Sequence, residues 1–220
     1  MTPRIVILSA PSGGGKTVVT KELISRHPEL FGYSVSATTR PPRPGEVDGQ
    51  AYRFLTRKDF EGKRDAGEFL ETAEYAGELY GTLRSEVESV LRRGLNVVLD
   101  IEVNGAQQVR RQYPDAITVF LQPPSAVVLL ERLRGRQTES AQAMARRVEI
   151  AQQELAASTA YQHMVVNEDL DLTVNRVLAI VKNPDRVEHH TGEMLHHIQE
   201  LMAGLQLEAH KLHDELKESR

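Results

Sequence analysis

The 220-residue sequence contains no cysteine, so it has neither a disulfide framework nor a thiolate metal site. It also lacks any stretch approaching the roughly 18 apolar residues of a membrane helix, and its N-terminus has no signal-peptide profile. These absences predict a cytoplasmic protein. Internal repeats and low-complexity segments are missing as well, and the length favours one domain of moderate size.

An excess of one charge sign is also absent from most of the chain. The net charge is −4, and it comes from residues 184–220, which hold 8 acidic and 4 basic side chains. Residues 1–183 are balanced, with 23 side chains of each sign. A neutral body argues against a broad nucleic-acid surface, so we expect neither nucleic acid nor a membrane as a partner.

Alternation of apolar strands with helices predicts an α/β fold of three layers, in which helices cover both faces of a parallel sheet. Strands are expected near 4–9, 95–101, 116–122 and 163–167, and helices near 17–27, 84–93, 105–113, 125–134, 139–160 and 170–182. Residues 33–82 interrupt the alternation with a strand near 33–38, a helix near 57–66 and an antiparallel pair within 67–81. We interpret this strand-rich segment as an insertion at the carboxyl edge of the sheet, where ligands bind.

A glycine-rich turn after the first strand is the most informative feature of the sequence. Lys16 and Thr17 open the next helix, which is the context of a phosphate-binding loop. Backbone N–H groups and the helix N-terminus suit phosphate oxygens, Lys16 adds positive charge, and the Thr17 hydroxyl is a natural Mg²⁺ ligand. Ala10 departs from the usual pattern, which has glycine there. The expected ATP-binding residues of the loop are Ala10, Pro11, Ser12, Gly13, Gly14, Gly15, Lys16 and Thr17.

A repeating apolar pattern distinguishes residues 184–220 from the rest of the chain. Apolar residues recur at spacings of three and four over about three heptads, which predicts a helix with a heptad-like seam. The seam consists of Leu195, Ile198, Met202, Leu205, Ala209, Leu212 and Leu216. Two interpretations stay open. In the first, the seam serves an interaction, either in a homo-oligomer through 190–218 or with a partner helix. In the second, the helix folds onto its own chain.

The segment from Ser34 to Gly49, which reads SVSATTRPPRPGEVDG, is highly specific. Together with the phosphate loop and Tyr80-Gly81-Thr82 it resembles the guanylate kinase family, and the match extends over about residues 4–182. The resemblance implies the P-loop NTPase fold. It also implies an enzyme of purine nucleotide metabolism that recycles GMP by transferring the γ-phosphoryl group of ATP to it, giving ADP and GDP.

The resemblance further implies a domain layout. A kinase-like domain over 1–183 has a core of 1–32 and 83–183, a GMP-binding insertion over 33–82 and a helical lid over about 125–158. Residues 184–220 form a C-terminal helical extension that has no counterpart in the family pattern.

A non-catalytic, guanylate-kinase-like module that binds proteins is the alternative function. Such modules tend to lose the loop lysine or the lid arginines. This chain keeps Lys16, Thr17, Arg136 and Arg147, which favours an enzyme.

The chemistry of a GMP acceptor agrees with residues of the insertion. Arg40 and Arg43 are three apart on a proline-rich loop, and guanidinium groups can hold phosphate through two parallel hydrogen bonds. Guanine presents two adjacent hydrogen-bond donors, N1–H and the N2 amine, so a carboxylate that accepts both is the simplest group to recognise it. The resemblance gives this role to Glu71. The resemblance implies a GMP site made of Ser36, Arg40, Arg43, Tyr52, Glu71, Tyr80, Thr82, Asp100 and Glu102. No residue of the predicted site is assigned to the 2′-hydroxyl of the GMP ribose, so dGMP is an expected acceptor as well.

Two acids end the strand predicted over 95–101. Their spacing of two predicts that Asp100 and Glu102 share one face of this strand. An acid at such a strand end commonly holds Mg²⁺, directly or through water, so Thr17 and Asp100 are the expected metal ligands. The family usually has Asp where this chain has Glu102, which leaves open whether Glu102 contacts guanine, metal or water.

Transfer between two nucleotides requires no general base, because the attacking phosphate oxygen is already ionised. Alignment and positive charge are required instead, which suits Mg²⁺ and Lys16. The resemblance identifies Arg136 and Arg147 as catalytic lid arginines and Asn167 as part of the adenine pocket. The neighbouring Arg132, Arg134 and Arg146 are expected on a solvated helix face.

Overall fold

Over residues 2–75, 77–134, 141–184 and 192–218, which the computed structural model describes, the chain forms nine strands, eight α-helices and one 3₁₀ turn. The strands are β1 (Ile5–Ser9), β2 (Phe31–Tyr33), β3 (Ala37–Thr38), β4 (Arg53–Phe54), β5 (Phe69–Tyr75), β6 (Glu78–Leu83), β7 (Asn96–Leu99), β8 (Ile117–Gln122) and β9 (His163–Val166). The helices are α1 (Lys16–Arg26), α2 (Arg57–Asp65), α3 (Arg84–Arg92), α4 (Val103–Gln112), α5 (Ala126–Arg134), α6 (Ala141–Ala156), α7 (Leu170–Lys182) and α8 (Gly192–Glu218). No helix within these ranges has the length and apolar character needed to cross a bilayer.

The chain divides into two compact units. The first unit consists of Met1–Ile7 and Leu23–Ile117, and the second consists of Leu8–Glu22 and Thr118–Arg220. The division into a kinase-like domain over 1–183, an insertion over 33–82, a lid and an extension remains a prediction.

The first unit contains part of a parallel sheet in the order β2-β7-β1. The strands are short, apolar and buried, as is typical of parallel sheets with both faces covered. In the second unit β8 and β9 form a parallel pair. The predicted α/β fold with a parallel sheet flanked by helices is confirmed.

A second, mixed sheet of four strands lies in the first unit, in the order β4-β3-β6-β5. β5 and β6 form the antiparallel pair predicted within 67–81. A small core of its own includes Phe60 of α2, whose ring stacks on Phe69 with the ring centroids 4.4 Å apart. α2 begins where expected, because the Thr56 side chain caps it by accepting the N–H of Asp59. This sheet confirms the mixed-β character predicted for the insertion.

The single strand predicted near 33–38 is two strands in the structure. β2 belongs to the parallel sheet, and β3 belongs to the mixed sheet. Between them, the Ser36 carbonyl accepts the N–H of Arg53 over 2.8 Å, so the chain already pairs with the second sheet before β3 begins. The residues between the two strands thus carry the chain from one sheet to the other.

The C-terminal helix α8 packs on α6 and α5 within the second unit. Three predicted seam residues, Ile198, Leu205 and Leu212, are buried, which agrees with the interpretation that the helix folds onto its own chain. Leu195 is exposed and Met202 is only partly buried. Leu216 lies among the last residues, whose side chains the structure does not describe.

The buried stripe of α8 is rotated relative to the predicted seam. Leu201 and Glu208 are buried in the positions that the prediction gave to Met202 and Ala209, each one residue earlier in the chain. Glu208 is buried because its carboxylate accepts a hydrogen bond from the Arg134 guanidinium of α5. A hydropathy pattern cannot identify such a position, since its burial depends on a partner 74 residues away.

Replacing Leu205 by Ala tests whether α8 is part of the folded body. Leu205 is fully buried, so we expect the free energy of unfolding to fall by about 2–5 kcal/mol in urea denaturation. Leu207, two positions further and 61% exposed, is the matched control, and Leu207→Ala is expected to change stability by less than about 0.5 kcal/mol. Equal effects of the two substitutions would contradict the packing of α8 described above.

Candidate active site

The phosphate-binding loop lies in the second unit, between the end of β1 and the start of α1. Gly13 and Gly15 have φ angles of 80° and 89°, which residues with side chains rarely adopt. The N–H of Gly14 donates to the carbonyl oxygen of Pro11 over 2.7 Å. The loop therefore needs glycine for its backbone conformation at two positions.

The departure from the family pattern at Ala10 is compatible with this turn. The Ala10 side chain is fully buried, and a Cβ atom at Gly14 would lie 2.7 Å from the Ala10 Cβ atom. The same Cβ atom would lie 2.8 Å from the Pro11 carbonyl oxygen. Ala10 thus fits because position 14 has no side chain.

The N-terminus of α1 adjoins the loop. Lys16 is the first residue of the helix and is half-buried, and Thr17 follows it and is exposed. The positive end of the helix dipole and its N–H groups favour a bound anion at this position. The loop and the helix start together can hold a polyphosphate chain.

Asn167 contacts the loop directly. It follows the last residue of β9, and its Nδ2 atom donates to the carbonyl oxygen of Gly14 over 2.9 Å. A Cβ atom at Gly15 would lie 2.7 Å from the same Nδ2 atom. In the structure the amide is therefore a support of the loop backbone, and its predicted role at the adenine pocket stays a prediction.

Only one of the two lid arginines predicted from the sequence lies among the described residues. Arg136 lies outside the described residues. Arg147 is half-buried on α6, and its Nη1 atom donates to the carbonyl oxygen of Leu133 over 2.7 Å. Arg146 is exposed, as expected.

Arg132 differs from the expectation of a solvated helix face. It is half-buried, and its Cβ atom lies 3.4 Å from the position that a Cβ atom at Gly13 would take. Its Nη1 atom is buried and has no hydrogen-bond partner among the described residues. The same Nη1 atom lies 4.0 Å from the position that a Cβ atom at Gly15 would take, so Arg132 places an additional positive charge beside the phosphate loop. Arg134, two residues further, has a 58% exposed side chain and pairs with Glu208.

Glu71 is a buried carboxylate in the first unit. It lies opposite Thr82 in the pair of β5 and β6, and the Thr82 hydroxyl donates to its Oε1 atom over 2.7 Å. Gly105 of α4 leaves space for its other oxygen, since a Cβ atom there would lie 2.7 Å from Oε2. The pKa of Glu71 is raised to about 7, above all by burial; the hydrogen bonds from Thr82 oppose this shift, and the charge of Glu102 adds to it. Glu71 and Thr82 thus form the pair expected at the base site.

Glu46 organises the arginine-rich loop that precedes β4. Its Oε1 atom accepts from Nη2 of Arg40 over 2.9 Å, and its Oε2 atom accepts the backbone N–H of Arg43 over 2.7 Å. These hydrogen bonds, the one from Arg40 above all, hold the pKa of Glu46 below its ordinary value. Glu46 was not predicted from the sequence, although an acid three residues after Arg43 was a usable signal.

Arg40 is also in contact with aromatic rings. Its guanidinium carbon lies 5.4 Å from the centroid of the Tyr52 ring, and Tyr52 meets Tyr80 edge to face with the centroids 6.0 Å apart. Three of the four predicted phosphate-binding side chains are thus neighbours. The fourth, Arg43, is exposed, and Ser36, predicted near the base, is half-buried.

The two acids after β7 occupy different elements. β7 ends at Leu99, Asp100 follows it, and Glu102 is the exposed N-cap residue of α4. The prediction that Asp100 and Glu102 share a strand face is therefore wrong, because the chain leaves the strand before either acid. The Tyr33 hydroxyl, which the sequence analysis missed, donates to Oδ1 of Asp100 over 3.4 Å. Burial, and then the charge of Asp100, raises the pKa of Tyr33 far above its ordinary value.

The pKa of Glu71 predicts a pH-dependent stability. Its folded pKa of about 7 exceeds the ordinary value of 4.5, so the folded state binds more protons than the unfolded state between these values. Stability from this group is then present at low pH and is lost as the pH rises through 7. Relative to Glu71→Gln, the wild type is expected to lose about 2 kcal/mol of unfolding free energy between pH 5.5 and pH 8. Urea denaturation of both proteins at the two pH values measures this, and a constant difference between them would contradict it.

The fold and the loop define a class of protein. A buried parallel strand, a glycine-rich turn with positive φ angles, and Lys-Thr at the start of a helix characterise the α/β proteins that bind nucleoside phosphates through a phosphate loop.

Comparisons with known proteins identify the family within this class. The family model described as guanylate kinase matches residues 2–184. A guanylate kinase of a Nostoc species is 45% identical over 177 residues, which are 80% of this chain and 88% of the relative. One from Streptococcus pneumoniae is 44% identical over 195 residues, 87% of this chain and 94% of the relative. The crystal structure of guanylate kinase from Anaplasma phagocytophilum superposes with a TM-score of 0.67 at 28% identity, covering 90% of this chain and 94% of that one. The chain belongs to the guanylate kinase family.

Proposed function

We propose that the chain transfers the γ-phosphoryl group of ATP to GMP, giving ADP and GDP. The observation that carries the proposal is the buried carboxylate of Glu71, held by the Thr82 hydroxyl beside Gly105. A buried acceptor selects guanine because a base without the N1–H and N2 donors would leave it unpaired. Relatives that are named guanylate kinase support the same reaction.

The acceptor nucleotide is proposed to bind in the first unit. Glu71 accepts the two guanine donors, with Thr82 and Ser36 as supporting hydroxyls. At the other end of the nucleotide, Arg40, Arg43, Tyr52 and Tyr80 bind the phosphate, and Glu46 holds Arg40 in place before binding. We also propose that dGMP is accepted. The members of the GMP site are Ser36, Arg40, Arg43, Tyr52, Glu71, Tyr80, Thr82, Asp100 and Glu102.

The donor nucleotide is proposed to bind at the phosphate loop of the second unit. Backbone N–H groups of the loop and of the first turn of α1 bind its phosphate oxygens. Lys16 carries positive charge at the helix start, and the guanidinium group of Arg132 carries it beside Gly15. Arg136 and Arg147 are proposed to neutralise the transferring phosphoryl group, and Asn167 to support the ATP site from the end of β9.

The residues proposed for Mg²⁺ are Thr17 and Asp100, the latter directly or through water. Hydroxyl and carboxylate oxygens are the donors that this hard cation prefers, so the residue types fit. When bound with ATP, Mg²⁺ neutralises charge on the phosphate oxygens. The described residues contain no metal-binding cluster of three or more His, Cys, Asp or Glu side chains, and a Mg²⁺ site that includes substrate phosphates needs only one or two carboxylates.

The chain's own residues align the reactants and supply positive charge, and no residue needs to remove a proton. The attacking group is an ionised phosphate oxygen of GMP, so positioning and charge stabilisation account for catalysis. The lid predicted over about 125–158 is proposed to exclude water from the phosphates and thereby to suppress ATP hydrolysis.

An acceptor panel tests the proposed function. The protein is incubated with ATP, Mg²⁺ and one of GMP, dGMP, AMP, CMP or UMP, and ADP release is coupled to NADH oxidation. We expect rapid turnover with GMP and dGMP and little with the others. No turnover with any acceptor would support the alternative of a non-catalytic binding module, and preference for another acceptor would contradict the assignment of Glu71.

The setting of the enzyme is proposed on the same basis. We expect a cytoplasmic location, with ATP and GMP as partners and neither nucleic acid nor a membrane. A homo-oligomer through 190–218 remains a prediction, while packing of α8 on α5 and α6 supports the other interpretation of the tail. Light scattering on a chain that ends at residue 184 distinguishes the two, since an unchanged oligomeric mass would exclude assembly through the tail.

A further inference from the structure

A carboxylate from α6 contacts the phosphate loop. The backbone N–H of Ser12 donates to Oε2 of Glu154 over 2.9 Å, and the two residues are 142 positions apart in the sequence. Glu154 is only 9% exposed, although its side chain ends in a carboxyl group. Burying a carboxylate is unfavourable unless hydrogen bonds compensate for the lost hydration, so this contact requires an explanation.

The contact lies where the loop begins to turn. Ser12 directly precedes Gly13, whose φ angle is positive, and it follows Pro11, which has no N–H group. The Pro11 carbonyl oxygen accepts the N–H of Gly14, and the Gly14 carbonyl oxygen accepts a hydrogen bond from the side-chain amide of Asn167. The loop backbone is therefore held at its start by Glu154 and at its centre by Asn167.

We infer that Glu154 is a positioning residue for the phosphate loop. The inference depends on the proposed function, in which this loop binds ATP. The hydrogen bond of 2.9 Å from the Ser12 N–H to Oε2 has ordinary length, so Glu154 fixes the direction of the Ser12 peptide. That direction sets how the following peptides turn, and their N–H groups are the ones that bind phosphate.

Glu154 also links the loop to the helix that carries a lid arginine. Arg147 precedes it by seven residues, which is two helical turns and about 10 Å along the axis, so both side chains lie on similar faces of α6. Arg147 bonds the Leu133 carbonyl, and Glu154 bonds Ser12. The two contacts fix α6 against the C-terminal part of α5 and against the loop.

The test compares three variants with the wild type in steady-state kinetics with ATP and GMP varied separately. Glu154→Ala removes the acceptor, and we expect kcat/KM for ATP to fall about 10-fold through a raised KM for ATP. The KM for GMP is expected to stay within about twofold of the wild type, since the acceptor residues are untouched. Glu154→Gln keeps an oxygen acceptor and is expected to restore most of kcat/KM for ATP. Glu149→Ala, an exposed position on the same helix, is the matched control and is expected to behave like the wild type.

The outcomes separate positioning from a merely structural role. If Glu154→Ala lowers the melting temperature without changing the KM for ATP, the inference is overturned. Should that variant not fold, Glu154→Asp carries the test, because it keeps the charge but withdraws the carboxylate by one methylene; an unchanged KM for ATP then overturns the inference. A wild-type protein that transfers no phosphoryl group would instead overturn the proposed function, so the two failures are distinguishable.

Discussion

Replacing Lys16 by Met is expected to lower the turnover of ATP with GMP by about 10³-fold or more. Lys16 is the first residue of α1, directly after the loop, and its ammonium group can neutralise charge on the phosphates as they react. Methionine has a similar length and no charge, so the substitution removes the electrostatic contribution and little else. Because Lys16 is only half-buried, we expect an unchanged fold.

Lys21→Met is the matched control for this prediction. Lys21 lies five residues further along the same helix and is exposed, so its substitution removes the same charge from α1 without touching the loop. Coupled assays measure turnover, and circular dichroism with thermal unfolding checks the fold. Near-normal turnover of Lys16→Met, or an equal loss in both variants, would remove Lys16 from the catalytic residues.

Replacing Glu71 by Gln is expected to lower the preference for GMP over AMP by about 10²-fold or more. The carboxylate can accept two hydrogen bonds from guanine, whereas the amide offers one oxygen and turns a donor toward the other guanine donor. The loss should therefore appear in kcat/KM for GMP, while the small activity with AMP stays similar. Measuring kcat/KM for both acceptors at saturating ATP gives the ratio.

Glu74→Gln is the corresponding control, because Glu74 lies on the same strand and is exposed. The preference for GMP should persist in that variant. Glu71→Gln is also expected to be the more stable protein at pH 8, since it removes a buried group whose pKa is raised. Loss of selectivity together with increased stability would exclude unfolding as its cause, and a preserved preference would mean that another group reads the base.

The parts of the fold that follow from local sequence were predictable. The boundaries of β1 and α1 were predicted to within one residue, because an apolar strand, glycines and a helix start stand next to each other. The cap of α2 by Thr56 is equally local. The mixed sheet was recognisable from its interrupted alternation, although the break between β2 and β3 was not, since it depends on pairing with β4 and β7.

The parts that depend on distant partners were not predictable. Glu154 looks like any helical acid in the sequence, and only the folded chain brings it to Ser12. Arg132 resembles its exposed neighbours until α5 is placed beside Gly13. Glu208 is buried because Arg134 pairs with it, so hydropathy placed the seam of α8 one position away. In each case the decisive interaction joins residues far apart in the chain.

A crystal structure of the protein with bound GMP tests most directly whether the first unit recognises both ends of this nucleotide. The account predicts guanine N1 and N2 within hydrogen-bonding distance of the Glu71 carboxylate, and the phosphate on the guanidinium groups of Arg40 and Arg43. Guanine bound away from Glu71, or a phosphate that leaves both arginines without contact, would contradict it.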